Sequence, residues 1–377
     1  MAGLYIHIPF CKSRCYYCDF TTYAGMEQFM PAYMKALETE IVQATQGVIP
    51  DTIFIGGGTP TSLDMDSFAS LMEIVKNLVK GEHQEITIEA NPESLTLEKV
   101  QLMKASGINR VSMGLQSTDD LILKNIGRIH NYDTFLKSYQ LLRENGFDNL
   151  SFDLITALPG QDEAVIRETI EQAIALKPEH ISVYSMILEE DTPFYAQSED
   201  GSLSLPDDDT DRLFQNLFRV HLEEAGYSRY EISNYALPGR ACQHNLNYWN
   251  LGEYIGCGVA AAGFRDGVRW TNTKSIEEYI EGIKNQTSVR ENEHINSMDD
   301  SMEEFVFMGL RKTEGISTET FWRRFGSDFF EVYPGVADRF ISAGFLVKAG
   351  DRLYLTNEGL DISSYIMSDF ILSDVGD

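Results

Sequence analysis

The chain has 377 residues, 43% of them hydrophobic and 11% aromatic, enough for a deep core and for more than one domain. Its 58 acidic against 30 basic residues give a formal net charge of -28. Such a surface repels phosphate backbones and anionic lipid, which argues against nucleic-acid or membrane-surface binding through charge.

The first ten residues, MAGLYIHIPF, lack the basic flank of a signal peptide, and their apolar run is broken by His7 and Pro9. No later segment reaches the length of a membrane span, so a cytoplasmic chain without a transmembrane helix is expected. Short apolar runs then alternate with amphipathic segments. LYIHI (4–8), DTIFIG (51–56), EITIEA (85–90), RVSMGLQ (110–116), LSFDLITALPG (150–160) and HISVYSM (180–186) read as strands. Helical patterns such as QFMPAYMKALETEIVQAT, SFASLMEIVKNLV and DEAVIRETIEQAIAL lie between them. Six strand–helix units in series predict a parallel α/β architecture, a partial (β/α)6 barrel of the TIM type, with a doubly wound sheet as the alternative.

From about 190 the pattern changes. SEDGSLSLPDDDTD is an acidic loop opening a helix, and a Tyr-rich stretch and the small-residue segment YIGCGVAAAGF follow. From 298 a separate module is expected: the helices DSMEEFVFMGLRKTEG and STETFWRRFG, a helix around 330–344, and the strand pair FLVKAGDRLYLTNEG. This is a small α+β, winged-helix-like pattern. The expected domains are 1–210 for the barrel, 211–297 for an extension of it, and 298–377 for the C-terminal module.

Three of the five cysteines fall in CKSRCYYCDF, at Cys11, Cys15 and Cys18. The spacing C-x3-C-x2-C lacks the paired elements of a structural zinc site, and no fourth Cys or His follows closely. A [4Fe–4S] cluster normally takes four thiolates, so three on one loop leave an iron open to another ligand. Without a secretory signal, reduced thiols are expected rather than a disulfide framework. FIGGGTPT after the second strand permits close backbone approach to a ligand at Gly57 and Gly58, with Thr59 as a polar partner. Glu89, Gln116 and Asp153 fall at or near the C-terminal ends of further strands, where barrels carry their active-site loops.

The cysteine motif after a first strand resembles that of the radical S-adenosylmethionine (SAM) enzymes. The resemblance implies a [4Fe–4S] cluster on Cys11, Cys15 and Cys18, with SAM chelating the fourth iron and, on reduction, yielding a 5′-deoxyadenosyl radical. YIHIPFC, GGGTPT, IEANPE, RVSMGLQS and FDLITALPGQ further resemble the blocks of the oxygen-independent coproporphyrinogen III oxidase-like (HemN/HemW) family, in order and over nearly the whole chain. Residue by residue, the resemblance assigns SAM contacts to Tyr5, Tyr17, Gly57, Gly58, Thr59, Glu89, Gln116, Arg128 and Asp153.

That family holds an oxidase branch and a heme-chaperone branch. Phe20 stands where the oxidase has a further cysteine, the first strand begins a few residues after Met1 without the oxidase's N-terminal extension, and HNLNYW (244–249) matches the HNxxYW motif of the chaperone branch. The expected function is therefore a heme chaperone. His244 is the expected heme ligand, respiratory proteins the recipients, and membrane association would come only through those partners; a homodimer is also implied. The alternatives are the oxidase itself or another porphyrin-directed radical SAM enzyme. In GCGVAAAG, Ala262 replaces a His common in that branch, with Cys257 as a conceivable substitute thiolate or, more simply, a small buried residue.

Overall fold

The computed structural model describes residues 2–81 and 84–372. Six strands, β1 (Ala2–Ile8), β2 (Thr52–Gly57), β3 (Glu85–Ala90), β4 (Arg110–Gln116), β5 (Leu150–Thr156) and β6 (His180–Ser185), match the six expected runs. They lie side by side in chain order, every neighbouring pair parallel. A doubly wound sheet would reverse strand order at a switch point, and none occurs. The winding is that of a barrel, left open because β1 and β6 pair with other strands.

Helices cover the outer face, and their starts are written in the sequence. Asp64, Thr96, Asn131, Asp162 and Asp207 each cap the first turn of a helix through a side-chain oxygen on a backbone N–H. The apolar stripes of Met30–Ala44, Met65–Leu78 and Glu163–Leu176 meet Leu4, Ile6, Ile53, Ile55, Ile86, Ile88, Val111 and Leu154 in one continuous core. Alternation along each strand then turns the other set, including Tyr5, His7, Glu89, Ser112 and Asp153, toward the barrel lumen.

Two extensions lengthen the sheet. Beyond β6 come β7 (Ser228–Arg229) and β8 (Asn234–Ala236), with β8 antiparallel to β6. Beyond β1 come β9 (Glu253–Cys257), which is parallel to it, and then the antiparallel β10 (Ala262–Arg265), β11 (Val268–Asn272) and β12 (Arg290–Ile295). Sequence periodicity had pointed to none of β10–β12. They are short, and β12 is exposed at all six positions, so no alternation marks it.

The C-terminal module has its own core, built on Phe321, Phe329, Tyr333, Phe340, Leu353 and Phe370. Its first helix, Met298–Leu310, opens with a capping box between Ser297 and Asp300. A three-stranded sheet of β13 (Ile316–Ser317), β14 (Leu346–Ala349) and β15 (Arg352–Leu355) completes the winged-helix-like pattern. The single helix expected around 330–344 is two, Phe329–Val332 and Val336–Ser342, because Pro334 and Gly335 (φ 74°) interrupt it. No helix among the described residues is long and apolar enough to cross a membrane.

Candidate functional site

The loop after β1 carries Cys11, Cys15 and Cys18 over the C-terminal ends of the barrel strands. It is tied down by backbone hydrogen bonds from Cys11 N to Tyr23 O (3.0 Å), Cys18 N to Cys15 O (3.2 Å) and Tyr16 N to Ile126 O (3.1 Å). The three thiols are half-buried and unpaired, and they face one cavity of about 370 Å³. Burial pushes the thiols of Cys11 and Cys18 up, the latter to about 11. Holding them as thiolates therefore requires a cation, and a bound metal supplies one. Among the described residues no group of three His, Cys, Asp or Glu side chains is arranged around a single metal ion. A cubane makes a different demand, one thiolate on each of three irons, and three convergent thiols on a tied loop fit it.

The glycine run after β2 forms the adjoining wall. Gly57 has φ 108°, and a Cβ there would lie 2.5 Å from the His7 ring. A Cβ on Gly58 would lie 2.8 Å from Phe10 O and 3.1 Å from Cys11 Sγ. Glycine is thus required for the backbone to approach the cysteine loop. Thr59 Oγ1 stands 3.4 Å from Cys11 Sγ and accepts from Asn91 Nδ2 at 2.9 Å.

The floor is acidic. Glu89 Oε2 accepts from Gly57 N at 3.1 Å, and burial together with Asp153 raises its carboxyl to about 8. Burial also raises Asp153, which accepts from Ser112 Oγ at 3.3 Å. An ammonium or ribose hydroxyl entering here would find acceptors that have given up water already. Arg128 donates to Gly114 O at 2.6 Å and Asn91 Oδ1 at 2.8 Å, and its Nη1 reaches Cys15 Sγ at 3.6 Å. It is thus a fixed cation between the cysteine loop and β4, suited to a carboxylate. Gln116 sits at φ 67° beside an irregular step in the β4–β5 pairing, a strained position that turns its amide to the cavity.

The cavity thus gathers Cys11, Cys15, Cys18, Tyr17, Gly57, Gly58, Thr59, Glu89, Gln116, Arg128 and Asp153. Tyr5 does not line it. Its ring stacks on Phe54 and its hydroxyl meets His7 Nδ1 at 3.1 Å, lower in the lumen. Residues that sequence reasoning missed are Asn91, Ser112, Tyr184, Met186 and Ile187. Asn91 was within reach, since it belongs to the IEANPE block; Ser112 and Tyr184 sit in strands whose inward face only the sheet register reveals, and Met186 and Ile187 lie in the loop after β6.

HNLNYW lies elsewhere. It forms the helix Gln243–Trp249 at the N-terminal end of the barrel, and its first turn is capped by Glu85, which accepts from Gln243 N and His244 N at 3.0 Å each. His244 is 1% exposed. Its Nδ1 pairs with Thr52 Oγ1 at 2.8 Å, its Nε2 with Tyr248 OH at 2.7 Å, and its ring stacks on Phe54. Both ring nitrogens are thus hydrogen-bonded within the fold, and the ring packs as a buried residue. Trp249 faces the C-terminal module, with the Arg311 guanidinium 4.3 Å from its ring. Cys257 is fully buried and its thiol is pushed well up by burial, the surroundings of a small core residue. Ala262 opens β10 on the outer extension, away from the cavity.

Comparison with known proteins agrees with this geometry. The Radical SAM superfamily profile matches residues 5–173, and the HemN C-terminal domain profile matches 296–362. Among curated proteins, a protein of Bacillus subtilis strain 168 named heme chaperone HemW is 36% identical over 98% of this chain and 99% of its own. One of the same name from Escherichia coli K12 is 34% identical over 95% of this chain and 94% of its own. Among solved structures, E. coli coproporphyrinogen III oxidase (HemN) superposes with a TM-score of 0.86 at 22% identity, over 98% of this chain and 90% of that one. The last likeness shows the fold. Membership of the radical SAM superfamily implies a [4Fe–4S] cluster and SAM, and the thiols, glycine wall and acidic floor fit both. With near-full-length relatives at this identity, the chain belongs to the HemW family of radical SAM proteins.

Proposed function

We propose that this protein is a heme chaperone that holds a [4Fe–4S] cluster and SAM in the barrel cavity and carries heme to respiratory-chain proteins. The observation that carries the reading is end-to-end likeness to proteins named heme chaperones, covering barrel, extension and C-terminal module alike. When bound, the cluster supplies redox chemistry and an open iron for SAM. The chain's own part is binding and orientation. Cys11, Cys15 and Cys18 hold the cluster, and Glu89, Gln116 and Asp153 receive polar groups of SAM. Arg128 faces its carboxylate, with Tyr17, Gly57, Gly58 and Thr59 closing around it.

The cavity mouth suits a large apolar ligand. Phe20 is 63% exposed, Ile187 65% and Tyr184 41%, with Met186 between them. Exposed apolar side chains rimming one polar cavity favour a flat hydrophobic partner such as a porphyrin. Heme is proposed to bind without His244 as its iron ligand.

Two measurements test the reading. Heme titrated into the reconstituted protein should shift the Soret band, and His244→Ala should leave the band position unchanged. Coproporphyrinogen III incubated anaerobically with protein, SAM and reductant should yield no protoporphyrinogen. Product formation would establish the oxidase instead, and absence of any heme-dependent spectral change would remove the chaperone.

A further inference from the structure

A second cavity, of about 230 Å³, lies where the helix Gln243–Trp249 ends against the C-terminal module. Trp249 and Asn250 line it from the barrel side, and Phe305, Lys312, Arg324 and Arg352 from the module. Its ionisable lining is three cations, Lys312, Arg324 and Arg352, against one carboxylate, Glu314. In a chain with 58 acidic and 30 basic residues, a local excess of cations runs against the composition. Carboxylates to neutralise them are plentiful, so their gathering here calls for a physical reason.

The hydrogen-bond account of these groups is incomplete. Lys312 is 7% exposed, and its Nζ donates to Asn250 Oδ1 at 2.6 Å and Glu314 Oε1 at 3.1 Å, which leaves one ammonium proton without an acceptor. Arg324, in the helix Thr318–Phe325, and Arg352, which opens β15, make no side-chain hydrogen bond or ion pair among the described residues. Nearby carboxylates are engaged elsewhere. Glu304 holds Arg269 through both oxygens, Glu319 pairs with Arg323, and Asp351 accepts from Ser317 Oγ at 2.6 Å. Thr320 Oγ1, also in the lining, has no partner among the described residues, and Trp249 Nε1 is buried without one.

Cations that converge without acceptors repel one another, and a free guanidinium presents a fork of N–H donors that matches an oxyanion. We infer that this cavity is a binding site for a small dianionic oxyanion, inorganic phosphate or the phosphate group of a monoester. Three cations against one carboxylate match a dianion in charge. Two arginine forks, the spare Lys312 proton and the Thr320 hydroxyl give donors for a tetrahedral group, more than the two oxygens of a monocarboxylate would use. Lys312 already joins the module to Asn250, so an anion held by Lys312, Arg324 and Arg352 binds at the junction and tightens the docking of the module on the barrel. The site shares no residue with the cluster cavity, and the inference stands whatever that cavity holds.

The test uses full-length, cluster-loaded protein at constant ionic strength. Calorimetric titration with inorganic phosphate and with glycerol 3-phosphate should show saturable binding of at least one, and chloride should show none; the anion that binds more tightly identifies the source. Arg324→Gln and Arg352→Gln, at exposed positions, should melt like wild type in phosphate-free buffer and each weaken binding about tenfold. Glu314→Gln removes the carboxylate that opposes the anion and should tighten binding. The bound anion should raise the melting temperature of wild type and leave that of the double arginine variant unchanged. Absence of saturable binding by both anions would overturn the inference. So would binding that both arginine variants retain at wild-type affinity, since the anion would then sit elsewhere.

Discussion

Replacing His244 by Gln isolates what the buried ring contributes. The imidazole is neutral in the fold because burial and the nearby Arg110 lower it to about 3, whereas an unfolded His titrates near 6.5. Below pH 6.5 the unfolded chain therefore binds a proton that the folded chain refuses, and stability falls as pH falls. At pH 7.5 this penalty is absent. There His244→Gln loses the stack on Phe54 and at least one of the two hydrogen bonds, to Thr52 or Tyr248, a cost of about 2 kcal/mol. Lowering the pH to 5 costs the wild type about 1.36 kcal/mol per unit below 6.5, or about 2 kcal/mol, and costs the variant nothing at this site. The stability gap should thus close almost completely between pH 7.5 and pH 5. Urea denaturation of both proteins across that range measures it, and the slope from His180, which is also held neutral, cancels in the difference. A gap independent of pH would refute the burial of a neutral ring; a gap that widens on acidification would mean that His244 is charged in the fold.

Serine at Cys11, Cys15 or Cys18 should abolish the visible absorbance of a reconstituted cluster while leaving the melting temperature within a few degrees, since these thiols are half-buried and lie outside the main core; a cluster retained by any single variant would count against that ligand. Gly57→Ala drives a methyl into the His7 ring at a left-handed backbone position and should destabilise by about 2 kcal/mol or more, read by thermal denaturation. Trp249→Ala removes the Arg311 contact between barrel and C-terminal module and should cost about 3 kcal/mol, with melting split into two transitions; a single transition at the wild-type temperature would deny it that role.

Much of this protein is legible in one dimension. The six barrel strands are short runs that alternate core-facing apolar residues with lumen-facing ones, so period and punctuation place all six, five within two residues and the fifth run, expected to 160, ending at Thr156. The cluster loop and glycine wall are equally plain, because spacing along the chain is itself the constraint: three thiols on eight residues cannot avoid converging, and consecutive glycines mark close backbone approach. What sequence could not decide was depth and direction. His244 and Tyr5 look like site residues by type, but the first is bonded at both nitrogens on the far side of the barrel and the second packs beneath the cavity. Arg110 reads as an ordinary strand charge until the strand register buries it, 2% exposed, beside Thr87 of β3. Local pattern fixes which residues meet along a strand or loop; only the packed barrel sets which charges share a low-dielectric interior, and that is what decides their chemistry.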